Sequence, residues 1–448
     1  MKWQQAFEIT PGEVVAFIGA GGKTSLLAGL GYELAEAGWR VLATSTVPLQ
    51  EDQLELFPAV LHYTAGSDAI SAALNESRFV YLYDSVKGGR VSGVPPEALS
   101  PLMDAVDSDV MLVEADTANG LPLKAPLPGE PMIPPETSLV VPVASLSVLG
   151  KPLDKHHIYN LDAIVERYGF VEGSRIKSPW VAQVLRDDEL GLKGIPKTAR
   201  VVAFLNQTAP PGYGRGRARL IARLALRSTR FHGIVIGSVR GAEAVHEVQR
   251  PIGAVVLAAG MSTRMGQMKV LMPWDKKTII EHIIEQLMNA RVDHITVVTG
   301  HQAKEVKEKV EPLGIHVVYN RQYKTGEMLS SLKAGLRALP DNVAGALVVL
   351  GDQPRIQPKT IYQVMMAFAE GKGEIIAPSF ERRRGHPILI GRRYWPELLD
   401  IPANGSPRDV INAHSDRIAY VEIDNDSVLR DVDTPSDYND ERQRAGLL

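Results

Sequence analysis

Residues 255–269 read VVLAAGMSTRMGQMK. An apolar run, Val255-Val256-Leu257, passes into Ala258, Ala259 and Gly260, and two cations follow at Arg264 and Lys269. Small residues directly after a strand let backbone N–H groups come close to a phosphate or a base, because no side chain intervenes. A cation pair downstream supplies the charge that polyphosphate oxygens demand. Taken alone, the stretch is equally a tight strand-to-helix turn with two solvated cations.

The same alternation of short apolar runs with helix-patterned segments extends along all 448 residues. It predicts an α/β protein with mainly parallel sheets, built as two three-layer α/β/α domains. In the first half, strands are expected at 14–18, 40–44, 79–83, 110–114, 139–143, 201–205 and 233–237. In the second they are expected at 254–258, 295–299, 316–320, 346–350, 374–378 and 420–423. The segment 278–290 places Ile280, Ile283, Ile284 and Leu287 on one helical face. The weakest patterning, at 238–253, puts the expected domains at 1–245 and 251–448.

Composition excludes several classes. A formal charge of −3 argues against bulk electrostatic binding to nucleic acid or membrane. With no cysteine there is no disulfide, thiolate metal site or cysteine nucleophile. No apolar run approaches the roughly 18 residues that span a bilayer. The opening MKWQQAFEITPGE lacks the apolar core of a signal peptide, so a cytoplasmic location is expected.

Chemistry concentrates in a few further stretches. ALVVLGDQPRI (346–356) ends an apolar strand in Gly351-Asp352, and a carboxylate at a strand's carboxyl end suits Mg²⁺. DVDTPSDY (431–438) offers Asp433 as a second metal ligand or, with Thr434, as a cap before Pro435. RRRGHPILI (382–390) places His386 on a loop before a strand, beside arginines that are either anion-binding or solvated. PANGSPRDVI (402–411) carries Gly405 and Arg408, and TGEMLSSLKAGL (325–336) carries Gly326, Ser330 and Ser331.

In the first half, VVAFIGAGGKTSLLAGL (14–30) reads as strand, glycine loop and helix. Gly19, Gly21 and Gly22 would cradle phosphates, with Lys23 on the anion and Thr24 available to Mg²⁺. Phe17 stands where the longer P-loop pattern has its first glycine. VMLVEADTANGLPLKAP (110–126) then supplies Glu114 and Asp116 at a strand end, with Lys124 nearby. Asn206, in LNQT, is a candidate base reader.

LAAGMSTRMGQMK resembles the signature of the MobA-like nucleotidyltransferases, in the branch that includes molybdenum-cofactor cytidylyltransferase. That resemblance spans roughly residues 252–440. It implies a Rossmann-like, GT-A-like domain in which Leu257, Ala258, Ala259, Gly260 and Gly351 bind nucleotide. Arg264, Lys269 and Asp352 would be catalytic, Asp352 and Asp433 would hold Mg²⁺, and His386 and Arg408 would contact the acceptor. The implied reaction moves CMP from CTP to a molybdopterin-type cofactor with release of pyrophosphate. Ala259 stands where guanylyl-transferring relatives carry glycine, and its methyl is expected to favour the smaller base. Residues 1–240 resemble the YqeC-type accessory proteins of selenium-dependent molybdenum hydroxylases. This implies a P-loop-like unit binding ATP or GTP, and a client molybdenum hydroxylase as partner. A sugar-phosphate nucleotidyltransferase and a non-catalytic cofactor chaperone are the alternatives.

Overall fold

The computed structural model describes residues 1–208, 212–403 and 405–448. The chain divides into two compact units, Met1–Gln249 and Arg250–Leu448.

The first unit is built on a mostly parallel sheet. Its principal strands are β1 (Glu13–Gly19), β2 (Val41–Ser45), β3 (Phe79–Lys87), β4 (Arg90–Gly93), β5 (Val110–Glu114), β6 (Leu139–Ser145), β7 (Arg200–Asn206), β8 (Gly233–Gly237) and β9 (Val245–Gln249). Their spatial order is β9-β8-β7-β6-β1-β5-β2-β3-β4, with Leu49–Gln50 beyond β4 and Val60–His62 beside β3. The central strand shows why the sheet is covered on both faces. Val15 and Phe17 join one apolar cluster with Leu26 and Leu30 of helix α1 (Lys23–Glu36), whereas Ala16 and Ile18 pack on the other side with Val140. Alternate side chains of one strand point to opposite faces, so both need helices over them.

Two features depart from the sequence reading. The stretch with the weakest patterning contains β9, which pairs antiparallel with β8 and carries the first unit through Gln249 instead of 245. Its polar look comes from Glu247, which is fully buried against Arg219, so a buried ion pair masks the strand's periodicity. The β3–β4 hairpin also extends past the expected strand at 79–83.

The second unit has a mixed sheet of β10 (Ile252–Ala258), β11 (His294–Thr299), β12 (His316–Tyr319), β13 (Gly345–Leu350), β14 (Ile375–Phe380), β15 (Ile388–Gly391) and β16 (Ile418–Glu422). The order is β12-β11-β10-β13-β15-β14, with β16 parallel to β14. β15 runs against its neighbours β13 and β14, and the short strand Arg383–Arg384 at the sheet's end pairs antiparallel with β14. Ala254, Val256 and Ala258 of β10 face one cluster with Ile280, Ile283, Ile284 and Leu287 of helix α2 (Ile279–Asn289). Val255 faces the other, with Leu332 and Leu336 of helix α3 (Glu327–Ala338). The expected apolar helix face is therefore the buried one. Thr278 and Glu281 start α2 with a reciprocal capping box. The architecture is α/β/α in both units, with parallel strands dominating each sheet. Among the described residues, no helix is long and apolar enough to cross a membrane.

Gly31 in α1 tests how tightly the first unit is packed. A Cβ there would lie 2.2 Å from the ring of Phe79, which is fully buried. Alanine gains about 1 kcal/mol of helix propensity over glycine, but overpacking costs typically 1–3 kcal/mol. Gly31→Ala is expected to lower the unit's urea midpoint, and adding Phe79→Leu is expected to recover most of the loss. A midpoint raised by Gly31→Ala alone would show that the helix can shift off the sheet.

Candidate functional site

In the second unit, three motifs distant in sequence meet at the carboxyl ends of β10 and β13. After β10 the chain turns through Ser262 (φ 50°) and Gly266 (φ 69°), and the amide of Lys269 donates to Ser262 Oγ at 3.1 Å. That turn aims the Lys269 ammonium at two carboxylates. Asp352 Oδ2 lies 3.4 Å away, and Asp433 Oδ1 is in direct hydrogen-bond contact. Arg264, three-quarters exposed, reaches the same Asp433 from outside, at 3.6 Å. The backbone joins the motifs as well. Gly351 N donates to Leu257 O at 3.1 Å, and Val432 N donates to Asp352 O at 2.9 Å.

Gly351 is glycine for a steric reason, since a Cβ would stand 2.6 Å from Leu257 O. Gly260 differs, because a Cβ there meets nothing within 4 Å and the space beside it is open. Ala258 and Ala259 are buried, and Ala259 O accepts from His301 N at 3.3 Å.

Burial pushes the Asp352 carboxyl up to about 6; Lys269 opposes the shift, and Asp431 and Asp433 reinforce it. Two carboxylates that share one ammonium form a partial set of hard oxygen donors. Mg²⁺ is commonly held by one or two carboxylates and completed by substrate phosphates and water, so Asp352 and Asp433 fit it. Thr434 caps helix α5 (Pro435–Arg444), with Asp437 closing the box. Asp433 is therefore released from capping and faces Lys269.

The two residues expected at the acceptor also converge. His386 precedes β15, and its amide donates to Val428 O at 3.0 Å. The His386 ring is pushed down to about 4, first by burial and then by the guanidiniums of Arg384 and Arg408. A neutral imidazole in the field of two guanidiniums suits an anionic group. Arg408 lies in the first turn of helix α4 (Pro407–Ala413), whose N-cap is Ser406. Asn404, in the same loop, lies outside the described residues. Arg382 and Arg383 are exposed. Ser331 is buried, and both Ser330 and Ser331 hydroxyls accept from the Asn320 amide, at 2.8 and 3.0 Å. These serines brace the loop internally.

Sequence reasoning missed Asn320 and also Gln353, which is buried and donates to Asp431 at 2.6 Å. Gln353 stands between Asp352 and Pro354 with no periodic signal. Only a partner 78 positions away explains it.

In the first unit the glycine loop lies at the carboxyl end of β1. Gly19, Gly21 and Gly22 all have positive φ, and a Cβ on Gly21 or Gly22 would fall within 2.4 Å of Ser145 or Asn206. Thr24 Oγ1 donates to Glu114 Oε2 at 2.7 Å and accepts from Gln53 Nε2 at 3.2 Å. The Lys23 ammonium donates to Gly19 O at 2.8 Å and lies 3.2 Å from Asp116 and 3.6 Å from Glu114. A cavity of about 650 Å³ opens above the loop, lined among others by Gln53, Arg90, Glu114, Asn119 and Arg240. Asn206 lines this cavity with its polar atoms already engaged. Its amide donates to Gly21 O at 2.7 Å, and its carbonyl accepts from the amides of Gln207 and Val239. Its polar atoms are committed to holding the loop.

The carboxylate pair that Lys269 gathers beside the small-residue loop lies in a nucleotidyltransferase domain, and the glycine loop between β1 and α1 has a P-loop-like form. The family described as MobA-like NTP transferase domain matches residues 254–418, and that described as YqeC protein matches residues 15–162. A relative in Escherichia coli K12, named as an uncharacterized protein YqeC, is 30% identical over 200 residues, 43% of this chain and 75% of the relative. The molybdenum cofactor cytidylyltransferase of the same organism is 28% identical over 194 residues, 43% of this chain and 96% of the relative. A solved manganese complex of a Mycobacterium tuberculosis H37Rv protein is 27% identical; the match covers 42% of this chain and 97% of that one, with a TM-score of 0.37. The chain belongs to the YqeC family through its first unit and carries a MobA-like NTP transferase domain in its second.

The His386 ring gives a pH test. Because its folded value lies below the ordinary 6.5, its neutral form contributes stability above that pH, and the contribution is lost as pH falls toward 4. A shift of this size corresponds to at most about 3 kcal/mol. Parent and His386→Gln are to be unfolded in urea at pH 7.5 and pH 5. The parent's stability, relative to the variant, is expected to fall at the lower pH. A difference independent of pH would mean that the ring titrates alike in the folded and unfolded chains.

Proposed function

We propose that the second unit transfers CMP from CTP to the terminal phosphate of a molybdopterin–molybdenum cofactor and releases pyrophosphate. The observation that carries this reading is the meeting of Lys269 with Asp352 and Asp433 beside the small-residue loop. The likeness to a molybdenum cofactor cytidylyltransferase supports the choice of base and acceptor.

Leu257, Ala258, Ala259, Gly260 and Gly351 form the wall against which the nucleotide lies. Asp352 and Asp433 would hold Mg²⁺, which when bound neutralises charge on the triphosphate. An oxygen of the acceptor phosphate forms the new bond to the α-phosphorus, and the bond from that phosphorus to the bridging oxygen breaks. The acceptor oxygen is already anionic near neutral pH, so no general base is needed. Lys269 and Arg264 stabilise the charge that gathers on departing pyrophosphate. His386, Arg384 and Arg408 hold the acceptor phosphate in line. In this reading catalysis is positioning and charge stabilisation.

The first unit, in the same proposal, binds ATP or GTP through Gly19, Gly21, Gly22 and Lys23, with Thr24 and Glu114 as the oxygens that fit Mg²⁺. One chain then serves the maturation of a client molybdenum hydroxylase, a setting that places it in the cytoplasm.

The test is a product assay. The chain is incubated with each nucleoside triphosphate, Mg²⁺ and either molybdenum cofactor or a sugar 1-phosphate, and the products are identified by mass. The cytidylylated cofactor and pyrophosphate are expected, with CTP used ahead of GTP in direct competition. A nucleotide sugar would establish the sugar-phosphate alternative, and tight cofactor binding without pyrophosphate would establish the chaperone. Asp352→Asn is expected to cut transfer more than about a hundredfold, or 2.7 kcal/mol of barrier, with the fold retained. Turnover within about threefold of the parent, less than 1 kcal/mol, would remove Asp352 from the metal site.

A further inference from the structure

The first unit buries a row of alternating charges that nucleotide binding alone does not explain. Lys23, Asp116 and Lys124 are each 5% exposed or less. Asp116 lies between the two lysines, with Oδ1 3.2 Å from Lys23 Nζ and Oδ2 3.1 Å from Lys124 Nζ. Asp116 Oδ2 also accepts from Gly19 N at 2.8 Å, so this carboxylate anchors the start of the glycine loop. Lys124 is held on three sides. It donates to Thr117 O at 2.6 Å and to Glu130 Oε2 at 2.8 Å, and its third contact is Asp116.

These contacts set a condition on phosphate binding. In this structure Lys23 lines the cavity, but its ammonium is engaged by Gly19 O, Asp116 and Glu114. To reach a phosphate its ammonium must leave those partners. A buried carboxylate stripped of its cation carries a large penalty, and that penalty would count against the ligand. Glu114 retains the Thr24 hydroxyl when Lys23 departs. Among the described residues, Asp116 then keeps only Lys124 as a comparable side-chain partner.

We propose that Lys124 is a positioning residue that holds Asp116 and thereby frees Lys23 for the terminal phosphates of a nucleoside triphosphate. The proposal rests on the nucleotide-binding reading of the first unit. Lys124 itself never touches the ligand. Its ammonium keeps the carboxylate neutralised while the neighbouring lysine changes partners, and through Thr117 it fixes the 117–120 segment, part of the cavity wall.

The experiment is a double-mutant cycle on the full chain, with affinity read by calorimetry. ATP, GTP and inorganic tripolyphosphate, each with Mg²⁺, serve as probes. Lys124→Met is expected to weaken binding about tenfold or more in the parent, yet by less than roughly threefold once Asp116→Asn is present, because position 116 then carries no charge for the departure of Lys23 to strand, and the Lys124–Glu130 pair is lost alike in both backgrounds. A role in packing alone would give the same loss in both backgrounds. A folded Lys124→Met chain that binds like the parent, or a full loss persisting beside Asp116→Asn, overturns the proposal. If Lys124→Met alone does not fold, the double variant against Asp116→Asn decides: equal affinity supports the proposal and a tenfold gap overturns it. A parent chain that binds none of the probes overturns the nucleotide reading and this proposal together. Binding by the parent without coupling overturns this proposal only.

Discussion

One ammonium group organises the second unit. Lys269 reaches two carboxylates that lie 83 and 164 positions further along the chain, and the small-residue loop, the GDQP turn and the closing DVDTP segment are ordered around it. Like charges gathered at one strand end repel, and burial raises the cost of keeping Asp352 ionised. Lys269 offsets that cost with a single residue from β10's loop. The backbone bonds from Gly351 to Leu257 and from Val432 to Asp352 act in the same direction, fixing the carboxylates where the lysine can serve both.

The fold was legible because apolar alternation is dense in the strands and needs no partner to be seen. β1, β10 and β13 read as strands from five residues each, and the α2 face was visible in Ile280, Ile283, Ile284 and Leu287. β9 was not legible, because its Glu247 is buried by an arginine far away in sequence. A single-sequence reading treats such a charge as exposed.

The site was legible in its charged residues and less so in its supports. Asp352, Asp433, Lys269 and Arg264 stand in recognisable motifs, and the structure brings all four together. Gln353, Asn320 and Gln53 carry no periodic or motif signal, since each is explained only by its hydrogen-bond partner. Asn206 shows a structural role that its motif does not display. A polar residue at the end of a strand, near a glycine loop, looked like a ligand contact, yet the protein itself uses its hydrogen-bonding capacity.

Each unit sets a lysine from a glycine- or alanine-rich loop against two carboxylates, but the surroundings differ. Around Lys269 the cluster opens to water, with the Asp433 side chain nearly half exposed and Arg264 mostly solvated. Charges there can exchange partners cheaply, because solvent screens whichever group is left over. Around Lys23 every partner is buried, so an exchange must be balanced within the protein. The open arrangement suits a site where a large acceptor and a leaving pyrophosphate come and go. The closed one suits a site that holds a phosphate tail and answers to its presence, and it needs a second lysine where the open site needs none.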